Sequence, residues 1–478
     1  MEFIEKLREK IRRARLERES TYAVLAVEVG VESSLSPLKS FELLADMDSI
    51  PNVVGEVLRI KRDALLNLRH LSEQIAVESR EAGGTWVRLL STIAYVEKSG
   101  LNPVVALRDL LKTVLRDLRT DYDRLSQKFR TLVSSSSVMF GAFPMMVAVM
   151  LTILSSSSVL PAMVMFMVFN CLAALLWIIS VDAQVPEIAD YRPFYRRIAL
   201  KYLPVSLAAG ISVYLGLLNT PVVLIFHKAL TLTVTTLAFT LPSYLEWRIQ
   251  DKATRQLLED LPKILRDLAE QVDKGYGVHR ALENAYSTEG YQKYTMKLLS
   301  LLIKEARIKG SLREAYDRVK SLLPKPWRIS LELLVLIEEA GAGAGATHAL
   351  ADSMHEYMLM IREFRRSTSS YKYLSLGMTA LTVALILFIM NTVMVKLVLV
   401  GALLAENPGI VTLPFSPPTP EELPIIKDYI FLLIALNSLI LSIVTGKTCG
   451  WRLGDSIAQL LKTSILLLIA LSLSSFIA

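Results

Sequence analysis

Charged and apolar residues alternate at helical spacing through two long stretches of the chain, and each stretch gives way to segments almost free of charge. Residues 1 to about 135 lead into the first group of apolar runs, and residues 244–372 lead into the second. A helix needs about 20 predominantly apolar residues to cross roughly 30 Å of hydrocarbon. Seven segments are expected to do so: 136–155, 159–181, 202–218, 221–243, 373–402, 425–445 and 458–477. Short uncharged turns, Ser155–Ser158 and Asn219–Pro221, join the first two pairs as hairpins, and Pro144 is placed to kink the first span. The pattern predicts an all-α fold, a polytopic helical membrane protein with two helical-hairpin domains outside the bilayer. The first domain covers 1–135 and is followed by four spans over 136–243. The second covers 244–372 and is followed by three spans over 373–478, with one sizeable loop at 403–424.

Within the second block, Leu257, Leu258, Leu261, Ile264, Leu265, Leu268 and Val272 fall on one face at a period of 3.6. Asp260 reads as an N-cap, Pro262 fits a first turn, and Gly275 with Gly277 reads as a helix end. A further helix from Val278 turns Ala281, Leu282 and Ala285 inward. The spacing of glycine, five residues, then Ala-Leu occurs at Gly100, Ala106, Leu107, at Gly275, Ala281, Leu282 and at Gly343, Ala349, Leu350. An αα-hairpin explains it, since glycine accepts a left-handed cap and the small alanine lets the second helix come close. A degenerate copy runs from Gly30 to Leu38 without the Ala-Leu pair. Each block therefore reads as two helical hairpins in series, and the chain as a duplication.

Composition fits this division of labour. Hydrophobic residues make up 52% of the 478 and mean hydropathy is +0.41, yet 21% are charged, more than membrane spans alone could hold. Placement of charge sets the expected orientation. Arg192, Arg196, Arg197 and Lys201 occupy one short loop, with Lys447 and Arg452 in another, whereas the alternate loops carry no base. Both large blocks are then cytoplasmic and the C-terminus external. No apolar stretch near the N-terminus reads as a signal peptide. The densest basic run, Lys6 to Arg18, suits a solvated helix or one at an anionic surface. The two cysteines, Cys171 and Cys449, suggest neither a disulfide framework nor a metal site.

Searches for chemistry return little. GAGAGA at Gly341–Ala346 follows a helix-like segment where a dinucleotide fingerprint needs a strand, and Gly446-Lys447-Thr448 has Leu441 where a phosphate loop needs glycine. Gly454-Asp455 evokes the signature of membrane aspartyl proteases, but Arg452 replaces its first glycine, and no second carboxylate is read in the spans to pair with Asp455. His70, His227, His279, His348 and His355 form no HExxH pattern. His227, Lys228 and Lys396 lie toward span ends, where long side chains reach the headgroups. No catalysis, cofactor or metal is expected.

The segment Leu261–Ala285, LPKILRDLAEQVDKGYGVHRALENA, resembles the opening of the type II secretion F domain, found in the platform proteins of type IV pilus-like machines. The stretch Gly446–Lys462, GKTCGWRLGDSIAQLLK, is similar to a glycine-bracketed cytoplasmic loop of the archaeal branch, and the extra spans favour the archaeal and tight-adherence members. The resemblance implies a membrane-embedded, non-enzymatic base that couples a cytoplasmic hexameric ATPase to the movement of pilin subunits into a filament. It also implies a homodimer or small homo-oligomer, with no role for nucleic acid. Lys304, Arg307, Lys309, Arg313 and Arg318 are the candidate ATPase contacts. A secondary transporter built from repeats is the alternative.

Overall fold

The computed structural model describes residues 2–80, 83–151, 156–182, 192–218, 227–287, 290–341, 343–369, 371–389, 423–450 and 452–477, with isolated residues between 392 and 403. No strand occurs among the described residues. In chain order the helices are α1 (Glu2–Glu32), α2 (Pro37–Leu43), α3 (Pro51–Leu66), α4 (Leu71–Glu78), α5 (Gly84–Ser99) and α6 (Pro103–Ser137). There follow α7 (Phe143–Leu151), α8 (Ser156–Asp182), α9 (Arg192–Leu218), α10 (His227–Asp273), α11 (Val278–Ser287) and α12 (Lys293–Lys309). The last six are α13 (Leu312–Val319), α14 (Lys325–Glu339), α15 (Ala344–Ser369), α16 (Lys372–Phe388), α17 (Leu423–Gly450) and α18 (Leu453–Ile477). The chain divides into two compact units. One holds Met1–Tyr122, Pro186–Asp190 and Gln250–Arg362, the other Asp123–Val185, Tyr191–Ile249 and Glu363–Ala478.

The first unit is organised around α1. Its segment Tyr22–Val31 is apolar nearly all round, and Ala23, Val24, Val27 and Val29 are fully enclosed, the mark of a helix packed on every side. α2, α3, α5 and α14 pack against it. The two charged blocks of the sequence therefore share one core, where the hairpin pattern predicts a separate domain for each. The Tyr22 and Tyr357 hydroxyls lie 2.5 Å apart, and the Trp327 indole donates to the Leu257 carbonyl at 2.6 Å. Glu19 and Lys325, with side chains 5% and 10% exposed, form an ion pair at 3.1 Å. The predicted turn at Gly30 is absent, because α1 continues through it to Glu32 and the chain reverses at Ser34, φ +67. Gly30 instead makes room for Ser40 of α2.

In the second unit α17 is central. Of its apolar window 72% is buried, against 17% for the windows of α8 and α9, whose Met165, Leu176, Leu200 and Ile211 point outward. α7, α8, α16 and α18 pack against α17. Gly446 and Gly450 let α18 come close: a methyl at the first would meet the Ser456 backbone, and at the second the Asp455 side chain. A π-helical turn, Val138–Ala142, joins α6 to α7, with the Phe143 N–H reaching the Val138 carbonyl. Pro144 explains it, since proline supplies no N–H for the helix ladder and a five-residue step absorbs the mismatch.

Among the described residues, five helices are long and apolar enough to cross a membrane: Pro103–Met150, Pro161–Val181, Phe194–Gly216, Pro424–Gly450 and Leu453–Ser472. They correspond to five of the seven expected spans. Of the remaining two, 227–243 lies within α10 and 373–388 within α16, while 221–226 and most of 389–402 lie outside the described residues, as does the loop at 404–422.

Candidate functional site

The glycine hairpins fall in the first unit. Gly100 (φ +68) caps α5 and Gly275 (φ +86) ends α10, both left-handed, and the Tyr276 N–H bonds back to the Gln271 carbonyl at 3.3 Å. After these turns, Leu107, Ala281 and Leu282 are buried, and Ala106 is half-buried. In the third copy the left-handed glycine is Gly341 (φ +63), two residues before Gly343. α15 then begins at Ala344, with Leu350 enclosed and Ala349 half-buried. A fourth left-handed turn, Gly310 (φ +73), joins α12 to α13, and the Ala-Leu spacing passes over it.

That fourth turn carries the basic candidates. Lys304, Arg307 and Lys309 are exposed on α12, and Arg313 and Arg318 on α13. Arg307 pairs with Glu283 at 2.6 Å and Arg313 binds Glu339 in a two-pronged contact at 2.6 and 2.7 Å. Lys309 lies 3.9 Å from Glu314, and Arg318 3.8 Å from Glu305. The Glu283 partner raises the Arg307 pKa and Glu339 raises that of Arg313, so both remain cationic. The face is thus a lattice of ion pairs, with Ile308 and Leu301 standing exposed among them. These partners lie up to 26 residues away in sequence, which is why the charge pattern alone reads as unpaired basic residues.

Beside it, Tyr316 donates to Glu332 at 2.7 Å and the Ser49 N–H reaches the same oxygen at 3.2 Å. Burial raises the pKa of Glu332 despite those two donors, and burial with the neighbouring Glu332 raises that of Tyr316. The link ties the segment before α3 to α13 and α14.

In the second unit, polar groups gather where α17 turns into α18. Asp455, only 5% exposed, accepts from Lys372 at 3.0 Å. Gln459 donates to the Lys372 carbonyl at 3.0 Å, and the Gly454 N–H to the Tyr195 hydroxyl at 3.1 Å. Asp455 is therefore a structural counter-ion. A second carboxylate that the sequence reading passes over, Asp428, lies within α17 and is 5% exposed at its side chain. Lys228 approaches it to 3.1 Å and His227 to 3.7 Å, and the Lys228 ammonium also sits 4.0 Å over the Tyr429 ring. Helical rise alone puts Asp428 roughly 33 Å from the Gly450 end of α17, so the two aspartates form no catalytic dyad. Among the described residues no cluster of metal-ligating side chains occurs. A scan against protein-family models and searches of curated proteins and of solved structures each find no match to this chain.

Proposed function

We propose that this protein is an integral-membrane platform of a type IV pilus-like machine, of the archaeal or tight-adherence kind. In this reading it couples a cytoplasmic ATPase to the insertion of pilin subunits. The observation that carries it is the segment Leu261–Ala285: the apolar face of α10 is buried, Gly275 turns left-handed, and α11 buries Ala281, Leu282 and Ala285. That is the arrangement the F-domain resemblance implies. The accompanying apolar helices fit a partner that meets pilins within the bilayer. Both charged blocks face the cytoplasm and the C-terminus lies outside in this proposal, and a reporter at Ala478 active in the cytoplasm would overturn that orientation.

The platform needs no catalytic centre, and its interface for the ATPase is assigned to the exposed α12–α13 face. Reversing Arg307, Lys309 and Arg313 to glutamate should weaken ATPase recruitment while leaving the fold intact, because exposed ion pairs contribute little to stability. The direct test is purification of the tagged protein from its native membrane in mild detergent, followed by mass spectrometry. Recovery of a secretion-type ATPase or a pilin supports the platform. Reproducible recovery of neither, from cells making both, together with a substrate-dependent rise in melting temperature, would favour a secondary transporter.

A further inference from the structure

Helix α3 ends in a left-handed turn of the kind that glycine usually closes. The Leu68 N–H bonds to the Leu65 carbonyl at 3.2 Å and the Arg69 N–H to the Ala64 carbonyl at 2.9 Å, which puts Leu68 at the left-handed position with φ +50. Gly100, Gly275, Gly310 and Gly341 take left-handed turns elsewhere in the same unit. A side chain there crowds the backbone, and glycine escapes that strain. The fold gains nothing from leucine in return, because Leu68 is 95% exposed. Leu65 and Leu66 beside it are also exposed, as is Leu58 two turns earlier on the outward face of α3. Strain kept at an exposed leucine, next to three others, marks a surface reserved for contact.

The place of these leucines in the unit says what they meet. α3 runs antiparallel to α1, since the Asn52 N–H reaches Glu19 and Glu56 pairs with Arg12 at 3.3 Å. Leu66 lies about 15 Å further along, toward the start of α1. α6 descends α1 in the same sense, from Arg108 paired with Glu32 to Tyr122 beside Tyr357, the partner of Tyr22. α15 does likewise, from Gly345 near Glu32 to Tyr357. α10 arrives from that end, with the Leu257 carbonyl bonded to Trp327, two residues from the Lys325–Glu19 pair, and Asp273 at the far end against His348. These three helices connect the unit to the apolar segments, and all three leave it at the end where Leu65, Leu66 and Leu68 protrude. Arg62 and Arg69 stand exposed around the leucines, with Glu73 the exposed acid nearby. Arginines beside apolar tips suit a surface of phosphate over hydrocarbon.

We propose that the α3–α4 turn is a bilayer anchor: Leu65, Leu66 and Leu68 insert into the lipid surface below the headgroups, and Arg62 and Arg69 meet the phosphates. The left-handed leucine is the cost of aiming a third apolar side chain outward where glycine would aim none. The anchor holds or fails independently of whether the protein builds filaments.

The test uses the full-length protein in nanodiscs of phosphatidylcholine and phosphatidylglycerol, in a Cys171→Ser background that leaves only the buried Cys449. A bimane fluorophore is attached at Asn67→Cys, in the turn, or at Leu101→Cys, an equally open site at the Glu32 end of the unit. Phosphatidylcholine brominated along its acyl chains should quench position 67 roughly fivefold more than position 101. Leu65→Ser with Leu66→Ser and Leu68→Ser should bring the two positions within about twofold. Leu68→Gly relaxes the backbone and keeps the fold, so it should lower quenching at position 67 by itself while the melting temperature holds or rises. Equal quenching at the two positions, or quenching at position 67 that survives both sets of substitutions, would overturn the proposal. So would a probe at position 67 that brominated lipid leaves untouched and cytoplasmic extract shields from iodide, which would make the leucines a protein contact.

Discussion

Replacing Lys325 by methionine should loosen the first unit by about 2–4 kcal/mol, and replacing Glu19 by alanine should loosen it more. The Lys325 Nζ lies 3.1 Å from Glu19 Oε1, with both side chains at most a tenth exposed. Removing one member of a buried pair generally costs about 3–5 kcal/mol, because the survivor keeps its desolvation penalty. Glu19, however, has other donors. Its Oε2 accepts the Asn52 N–H at 2.8 Å and the Val53 N–H at 3.3 Å, and α3 has no capping side chain of its own at Ile50. In Lys325→Met the stranded carboxylate keeps those bonds and the positive end of α3, which offsets part of the loss. In Glu19→Ala the ammonium loses this carboxylate and two helix-end donors are bared as well, each at about 1–3 kcal/mol. Hydrogen exchange of the α3 amides, followed by mass spectrometry in detergent, reads this locally. At 1.4 kcal/mol per tenfold, Lys325→Met should speed exchange through opening by roughly 30-fold to 1,000-fold. Exchange within threefold of the parent, or a milder effect from Glu19→Ala than from Lys325→Met, would refute the reasoning.

Glu28 offers a pH test. Burial, with Glu32 nearby, pushes its pKa up to about 7 from an ordinary 4.5, and its Oε2 has no partner. The folded state therefore holds the proton that the unfolded chain releases, so stability should fall as pH rises from about 4.5 to about 7 and then level off. Glu28→Gln should remove that slope and gain on the order of 3 kcal/mol at pH 8, as read by denaturant melts. In the second unit, Gly446→Val forces a side chain against the Ser456 backbone and should prise α17 from α18. In a Cys171→Ser background, the buried Cys449 should then react with maleimide at least tenfold faster. Trp327→Phe removes the indole bond to the Leu257 carbonyl while keeping most of the apolar contact, and should cost about 1–3 kcal/mol by the same melts.

Hydropathy located the apolar helices well, since a long uncharged run leaves a chain in lipid little choice but to form a helix. The run 159–181 and the helix Pro161–Val181 nearly coincide. Glycine turns were also legible, because a left-handed residue is a local requirement, as at Gly100 and Gly275. The helix start read at Asp260 and Pro262 was not. α10 passes straight through both, and the Asp260 carboxylate instead accepts the Gln292 N–H at 2.8 Å, serving the start of α12 from 32 residues away. An acidic side chain looks the same in sequence whichever helix end it serves. The pairing of the α12–α13 bases was hidden for the same reason, as was the Lys228–Asp428 contact across 200 positions.

The shared core of the two charged blocks constrains how the chain is made. Glu19 and Lys325 are 306 positions apart, and Tyr22 and Tyr357 are 335. At about 5–20 residues per second, the partners of α1 leave the ribosome roughly 15–60 s after it does. Through that interval the apolar segment Tyr22–Val31 lacks α14 and α15, while the segments between are made and delivered to the bilayer. The early-made helices must then wait half-assembled, shielded by α2, α3 and α5 alone or by a chaperone. Biogenesis should therefore depend more on the order and pace of synthesis than on the final stability of either block.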